Sequence, residues 1–212
     1  MSNAMRQQFA HLAPFRVYGT STSGNCHKVR LALDLLHVPY RWHEIDIMKG
    51  ETRTPEYLAM NPNGKVPLLQ IDDHTWLPES NAILCYLADG TELWPGDRLA
   101  RAQALQWMFF EQYSHEPYVA VARFVRLFLK KPDDPRLPEL EKRGYHALGV
   151  MEGHLARNDF FVAGRLTIAD IALFAYTHCA EEAGFDLGKY PAVRAWIGRC
   201  LAQPGVTAMP SP

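Results

Sequence analysis

Apolar residues follow two different patterns along the chain, and the change comes near residue 90. Before that point, short β-prone runs alternate with segments whose apolar residues recur every three or four positions, the spacing of one helix face. Gly and Pro residues separate these segments. The predicted order is strand, helix, strand, helix, strand, strand and helix, over residues 15–20, 25–38, 40–47, 54–61, 66–71, 75–77 and 79–90.

After residue 91 no segment alternates as a strand does. Helical periodicity covers residues ~98–130, ~138–157, ~167–184 and ~191–203. The sequence therefore predicts a mixed α/β domain over residues 14–90 and an all-helical domain over residues 98–212. The string "LTIADI" predicts a structural helix start, in which Thr167 and Asp170 form a capping box.

Composition sets the broad class of the protein. The chain of 212 residues is 48% hydrophobic and 21% charged, and its formal net charge of -1 gives no reason to expect a nucleic-acid partner. No apolar run approaches the ~18 residues of a membrane span, and the N-terminus lacks the apolar core of a signal peptide. We therefore expect a cytoplasmic protein. We interpret "MSNA" at residues 1–4, before Met5, as an expression scar.

The four cysteines are scattered and suggest no metal centre. Cys26, Cys85, Cys179 and Cys200 form no CxxC motif, and no Cys/His pair has the spacing of metal ligands. The last three lie among apolar residues of helical segments, which is typical of core packing in a reducing compartment.

The stretch "YGTSTSGNCHKVR", residues 18–30, places hydroxyls, an amide and a thiol in a turn between a strand and a helix. One interpretation is local: Ser23 is the N-cap, and its oxygen accepts from the N–H of Asn25 or Cys26. The other is chemical: the turn holds and activates a thiol. A hydroxyl can accept one hydrogen bond and donate another, so the two roles are compatible.

Pro67 stands at the head of the apolar segment "VPLLQI". Proline cannot donate to a sheet ladder, so it belongs at a strand start or a sheet edge. It also leaves the backbone of Val66 free to pair with an extended peptide, and the Val-Pro peptide bond can be cis.

Glu79 and Ser80 begin a predicted helix. Ser80 is a candidate cap for this helix. The first turn of a helix also suits a carboxylate, while Glu79 can hold an ammonium group. Together these two sites would match the head group of an α-amino acid.

Four strings in this order, "SGNCHKVRLAL", "NPNGKVPLL", "ESNAIL" and "LTIADIAL", resemble the glutathione transferase superfamily over nearly the whole chain. The resemblance implies a thioredoxin-like α/β N-terminal domain and an all-α C-terminal domain. It also implies that Val66 and Pro67 hold the cysteinyl part of glutathione, that Glu79 and Ser80 hold its γ-glutamyl group, and that Lys65 meets its glycine carboxylate.

One position departs from the family's pattern. Several classes place a histidine for the glycine carboxylate where Thr52 stands, and the adjacent Arg53 is the candidate substitute.

Thiol activation needs only modest stabilisation of the thiolate. Lowering a pKa near 8.5 by two units takes about 2.7 kcal/mol, and one hydrogen bond to a charged group supplies roughly 1.5–3 kcal/mol. By its position before "KVR", Ser23 matches the serine of the serine-type classes, and Asn25 is the second candidate. The other candidates in the turn are Tyr18, Ser21, Thr22 and Cys26. Tyr18 is one residue off the tyrosine-type position, and Cys26 lies inside the first helical turn.

A second substrate would need a pocket, which we expect on the helix carrying "FFEQYSHEPYVAVARF". Pro117 should kink this helix. The candidate lining residues are Tyr113, His115, Tyr118 and Arg123, and an ordinary helix surface or dimer contact is the alternative interpretation.

The resemblance therefore implies a homodimeric, serine-type glutathione transferase that adds the thiol of glutathione, its co-substrate, to an electrophile without a metal. A glutathione-dependent disulfide reductase or peroxidase is one alternative. A binding protein of the same fold without catalysis is the other.

Overall fold

The computed structural model describes residues 14–212; the interpreted scar at residues 1–4 and Met5 lie outside them. The chain divides into two compact units between Thr91 and Glu92. The ranges expected from the sequence, 14–90 and 98–212, differ from these units mainly in leaving the connecting residues unassigned.

The first unit is built on a mixed four-stranded sheet in the order β2-β1-β3-β4. Its strands are β1 (Phe15–Gly19), β2 (Tyr40–Glu44), β3 (Leu68–Gln70) and β4 (Trp76–Pro78). Its helices are α1 (Gly24–Leu35), α2 (Pro55–Met60) and α3 (Ser80–Ala88), with a 3-10 turn at Glu51–Arg53. Strand β1 runs parallel to β2 and antiparallel to β3. The predicted order of elements is confirmed.

Strand β1 ends one residue earlier than predicted, and β2 and β3 are each three residues shorter than predicted. Pro67 supplies no N–H for a ladder, and β3 begins one residue after it. Strand β2 stops at Glu44 because Asp46 starts a turn, in which its carboxylate accepts from the backbone N–H of Met48 at 3.0 Å and of Lys49 at 3.1 Å.

The second unit contains helices and turns but no strand, from Glu92 to Pro212. Its helices are α4 (Arg98–Phe110), α5 (Glu116–Arg123), α6 (Leu137–Leu155), α7 (Ile168–Thr177) and α8 (Pro191–Leu201). The single helix predicted over ~98–130 contains two π-helical segments, Glu111–His115 and Phe124–Phe128. Pro117 lies in the first turn of α5, where the missing N–H has little cost.

Helix α7 forms the centre of this unit, and all ten of its residues are buried. The predicted capping box is confirmed: the carboxylate of Asp170 accepts from the Thr167 N–H at 2.9 Å. It also accepts from the Phe161 N–H and from the Trp196 indole, both at 3.0 Å. The "LTIADI" string therefore has a structural role. Within residues 14–212, no helix has the length and apolar character to cross a membrane.

Candidate functional site

The turn between β1 and α1 is fixed by a carboxylate from β2. Glu44 accepts from the Ser21 N–H at 2.8 Å, from the Ser21 hydroxyl at 2.6 Å and from the Trp42 indole at 2.6 Å. Partial burial raises the pKa of Glu44, but these hydrogen bonds outweigh it and hold the pKa below its usual value. Arg30 stacks on Trp42 and donates to the Ser21 hydroxyl at 3.2 Å. The backbone N–H and the hydroxyl of Ser21 are thus both used to hold the turn.

Ser23 is the N-cap of α1 by backbone geometry, but its side chain makes no capping hydrogen bond. The expected acceptance from the N–H of Asn25 or Cys26 is therefore wrong. The Ser23 hydroxyl instead hydrogen-bonds the Cys26 thiol, which lowers the pKa of that thiol. Ser23 is partly exposed, so its hydroxyl is a donor at the surface of the turn.

Cys26 is fully buried beneath this turn. Burial raises the pKa of its thiol to about 11, although Ser23 and the Thr20 N–H, 3.4 Å from the sulfur, act in the opposite direction. A thiol with this pKa is protonated at neutral pH, which suits a packing role.

Tyr18 lies on the face of β1 opposite Gly19. Its hydroxyl donates to Gln70 at 3.1 Å, and its ring stacks on His43 with centroids 4.8 Å apart. These contacts place the phenol away from the turn, as the one-residue offset predicted.

The first turns of α1 and α3 meet through side chains. The Ser80 hydroxyl donates to Asn25 Oδ1 at 3.3 Å, and the buried Lys28 ammonium lies 3.5 Å from Ser80 Oγ. Two residues selected from separate parts of the sequence, Asn25 and Ser80, are thus direct neighbours.

Glu79, and not Ser80, is the N-cap of α3. Ser80 is the first helical residue, so its expected capping role is wrong. Glu79 has φ +70°, a left-handed conformation that is unusual outside glycine, and its side chain is exposed. Backbone strain of this kind recurs at binding sites.

The Val66–Pro67 peptide bond is cis. The loop before it is held at the Lys65 carbonyl, which accepts from the Tyr57 hydroxyl at 2.9 Å and from the Asn61 amide at 2.8 Å. The Lys65 side chain is exposed.

Arg53 ends the 3-10 turn before α2 and is exposed, and its guanidinium donates to the Asn63 carbonyl, in the loop that follows α2, at 3.3 Å. Thr52 is buried. Both basic candidates, Arg53 and Lys65, therefore present charge at the surface, whereas Thr52 does not face solvent.

The four residues expected to line a pocket in the second unit divide into two pairs. Tyr113 is 82% exposed, and Tyr118 is partly exposed and accepts from the Arg143 guanidinium at 3.1 Å. His115 and Arg123 are buried: His115 hydrogen-bonds Thr177 at 3.0 Å, and Arg123 pairs with Glu182 at 2.7 Å. Their burial corrects the expectation of four pocket-facing side chains. A pocket role for Tyr113 and Tyr118 stays a prediction.

Comparison with known proteins gives the family of both units. The model of the glutathione S-transferase N-terminal domain matches residues 22–89, and that of the C-terminal domain matches residues 106–204. The chain belongs to the glutathione S-transferase family. The predicted resemblance and the predicted fold are confirmed.

Solved structures of this family superpose over nearly the whole length of the chain. A glutathione S-transferase from Pseudomonas fluorescens is 52% identical, with 92% of this chain and 98% of that one covered and a TM-score of 0.89. The glutathione transferase URE2P6 from Phanerochaete chrysosporium, solved with oxidised glutathione, is 27% identical, with 92% and 96% covered and a TM-score of 0.82.

A curated relative agrees in length. The glutathione S-transferase-like protein tpcF of Aspergillus fumigatus is 30% identical, with 92% of this chain and 94% of that protein covered.

In this glutathione S-transferase family member, sequence reasoning missed two residues that support the candidate site. Lys28 follows Asn25 by three positions, and this spacing places both side chains on one face of α1. Their proximity could therefore have been predicted from the sequence. The role of Glu44 could not be read from the sequence, because its contacts with Ser21 depend on the pairing of β2 with β1.

Among residues 14–212, no group of three or more His, Cys, Asp or Glu side chains is arranged to hold a metal ion.

Proposed function

We propose that this chain is a serine-type glutathione transferase, which binds reduced glutathione in its first unit, stabilises the thiolate and adds it to an electrophilic small molecule. The observation that carries the proposal is the Ser80–Asn25 contact of 3.3 Å. It joins a candidate thiolate donor to a candidate carboxylate site across the first turns of two helices.

The γ-glutamyl end of glutathione carries a carboxylate and an ammonium group. The first turn of α3, which Ser80 begins, offers its backbone N–H groups to the carboxylate. The exposed Glu79 carboxylate suits the ammonium. Support comes from the left-handed backbone of Glu79, an unusual conformation in a residue that does not cap its helix with its side chain.

The cysteinyl part of glutathione would pair with the backbone of Val66, before the cis bond to Pro67. The glycine carboxylate would meet Lys65, in the loop after α2, or Arg53, in the turn before α2, which are both exposed cations. The role of Arg53 is supported by its position beside Thr52, which is buried and uncharged.

The thiolate would be stabilised first by Ser23 and second by Asn25. The Ser23 hydroxyl is not used as a cap, and its hydrogen bond with the buried Cys26 thiol leaves the hydroxyl proton available to a second sulfur when that protonated thiol is the donor. Together with the N-terminus of α1, a single such donor supplies about the stabilisation that a two-unit fall in pKa needs. Chemistry then needs no general base, because the thiolate is itself the nucleophile.

A second candidate function is reduction of a disulfide or a peroxide with glutathione. It is favoured by one observation: the relative URE2P6 was solved with oxidised glutathione. Turnover of a mixed disulfide without turnover of an aromatic halide would support this function over conjugation. A glutathione-binding protein without catalysis is the third candidate function.

We further propose that this protein is a homodimer and is located in the cytoplasm.

The test combines calorimetry with an ultraviolet titration of the bound thiol. Wild type should bind glutathione and lower the pKa of its thiol, and Ser23→Ala should raise that pKa more than Asn25→Ala does. An unchanged pKa in Ser23→Ala would overturn the assignment of Ser23. Absence of glutathione binding by wild type would overturn both enzymatic functions, and binding without turnover of either substrate class would leave the third.

A further inference from the structure

Lys28 carries a charged side chain that is fully buried in the first unit. Lysine is almost never fully buried unless it is paired, so its surroundings indicate its role. Its Nζ lies 3.5 Å from Ser80 Oγ and 3.5 Å from Asn81 Oδ1, both in the first turn of α3. The ammonium therefore lies behind the helix N-terminus that we assign to the γ-glutamyl carboxylate.

The chemistry of the three groups sets the direction of the hydrogen bonds. An ammonium only donates, so Ser80 Oγ is the acceptor toward Lys28. The proton of the Ser80 hydroxyl is then directed to Asn25 Oδ1, 3.3 Å away. The Asn25 amide consequently turns its oxygen toward Ser80 and its Nδ2 donor group away from it.

We propose that Lys28 is a positioning residue for glutathione, which acts through Ser80 and Asn25 and adds positive charge behind the carboxylate site. The inference rests on the proposed function. Its two effects fall on different parts of one ligand: the charge attracts the γ-glutamyl carboxylate, and the oriented amide offers N–H rather than oxygen to the thiolate.

A purely structural role for Lys28 makes a different prediction. Removing the Lys28 ammonium relieves the desolvation cost of a buried charge but takes a donor from Ser80 Oγ and Asn81 Oδ1, so its two effects on the fold oppose each other. Lys28→Met keeps an unbranched apolar side chain of nearly the same length and removes the charge and the donor. Stability and ligand binding should therefore separate in this variant, with the fold kept and the affinity lowered.

The experiment compares Lys28→Met and Lys28→Gln with Lys49→Met in the full chain. Lys49 is an exposed lysine of the same unit, so its variant removes the same formal charge from outside the proposed site. By calorimetry, Lys28→Met should bind glutathione about tenfold more weakly than wild type, and Lys49→Met should match wild type. In the thiol titration, Lys28→Met should raise the pKa of bound glutathione by about half a unit or more.

Lys28→Gln separates charge from hydrogen bonding, because it keeps a donor without a charge. It should keep the thiol pKa closer to wild type than Lys28→Met does, while losing comparable affinity. Because part of the effect of Lys28 is proposed to pass through Ser80, the loss of affinity in the Lys28→Met, Ser80→Ala double variant should be smaller than the sum of the two single losses.

Two outcomes overturn the inference alone: equal affinity and thiol pKa in Lys28→Met and wild type, or additive losses in the double variant. Unfolding of both Lys28→Met and Lys28→Gln in thermal melts would also overturn it, in favour of a structural role. Failure of wild type to bind glutathione is a separate result, and it would overturn the proposed function as well.

Discussion

Ser21 donates to Glu44 twice, through its backbone N–H at 2.8 Å and its hydroxyl at 2.6 Å. One side chain of β2 thereby fixes the turn that carries Ser23, the proposed thiolate donor. Glu44 is exposed and would touch no substrate in the proposed reaction. Its expected contribution is the position of the turn.

We predict that Glu44→Gln raises the thiol pKa of bound glutathione and weakens its binding several-fold. The reason is that one oxygen of the acceptor pair becomes an N–H group, which faces the donors of Ser21 and Trp42. Calorimetry and thiol titration measure both effects, and Glu56→Gln, an exposed change in the same unit, is the control. Equal results for Glu44→Gln and Glu56→Gln would contradict a positioning role.

The same substitution should change the pH dependence of stability. Because the folded-state pKa of Glu44 is lowered, its contribution is present above the ordinary carboxyl value and is lost as pH falls through the folded-state pKa. In urea unfolding between pH 3 and pH 7, the free energy of unfolding should fall less on acidification in Glu44→Gln than in wild type. If the free energies of unfolding of the two proteins fell in parallel with pH, the Glu44 carboxylate would make no such contribution to stability.

The amide end of Asn25 gives the second prediction. Asn25→Asp keeps an oxygen acceptor for the Ser80 hydroxyl but replaces the Nδ2 donor with a second oxygen. A carboxylate beside a thiolate repels it, so the thiol pKa of bound glutathione should rise by about one unit or more. Asn158→Asp, an exposed change in the second unit, should leave that pKa unchanged. An unchanged pKa in Asn25→Asp would place this side chain away from the sulfur.

Gly19 gives the third prediction, because it packs without space for a side chain. A Cβ atom at this position would lie 2.8 Å from Trp42 Cη2 and 3.0 Å from Cys26 Sγ. Gly19→Ala should therefore displace Trp42, which also donates to Glu44, and lower the free energy of unfolding by about 1–3 kcal/mol. Gly96→Ala is the matched control, since its added Cβ meets nothing within 4 Å. Equal unfolding midpoints in urea would show that the turn accommodates the methyl group.

The sequence was informative where an element's own residues determine it. The order of the strands and helices follows from apolar periodicity and from Gly and Pro positions, and the capping box of Thr167 and Asp170 follows from local spacing. The Ser80–Asn25 contact was not predictable, because it joins residues 55 apart through the packing of two helices. Burial of His115 was missed for a similar reason: its position in the helix pattern does not show that Thr177 of α7 packs against it.

Asp170 supplies the last prediction, on the stability of the second unit. Its two oxygens accept from the N–H groups of Thr167 and Phe161 and from the Trp196 indole, so the site presents donors on both sides. Asp170→Asn has the same shape but turns an NH₂ group toward some of these donors. Leaving buried donors unpaired should lower the free energy of unfolding by about 2–4 kcal/mol in urea at pH 7.

A matched control makes this prediction specific. Asp186→Asn changes an exposed cap that accepts from the Gly188 N–H at 2.9 Å, and it should cost about 1 kcal/mol or less. A loss in Asp170→Asn no larger than in Asp186→Asn would mean that the buried carboxylate does not anchor α7.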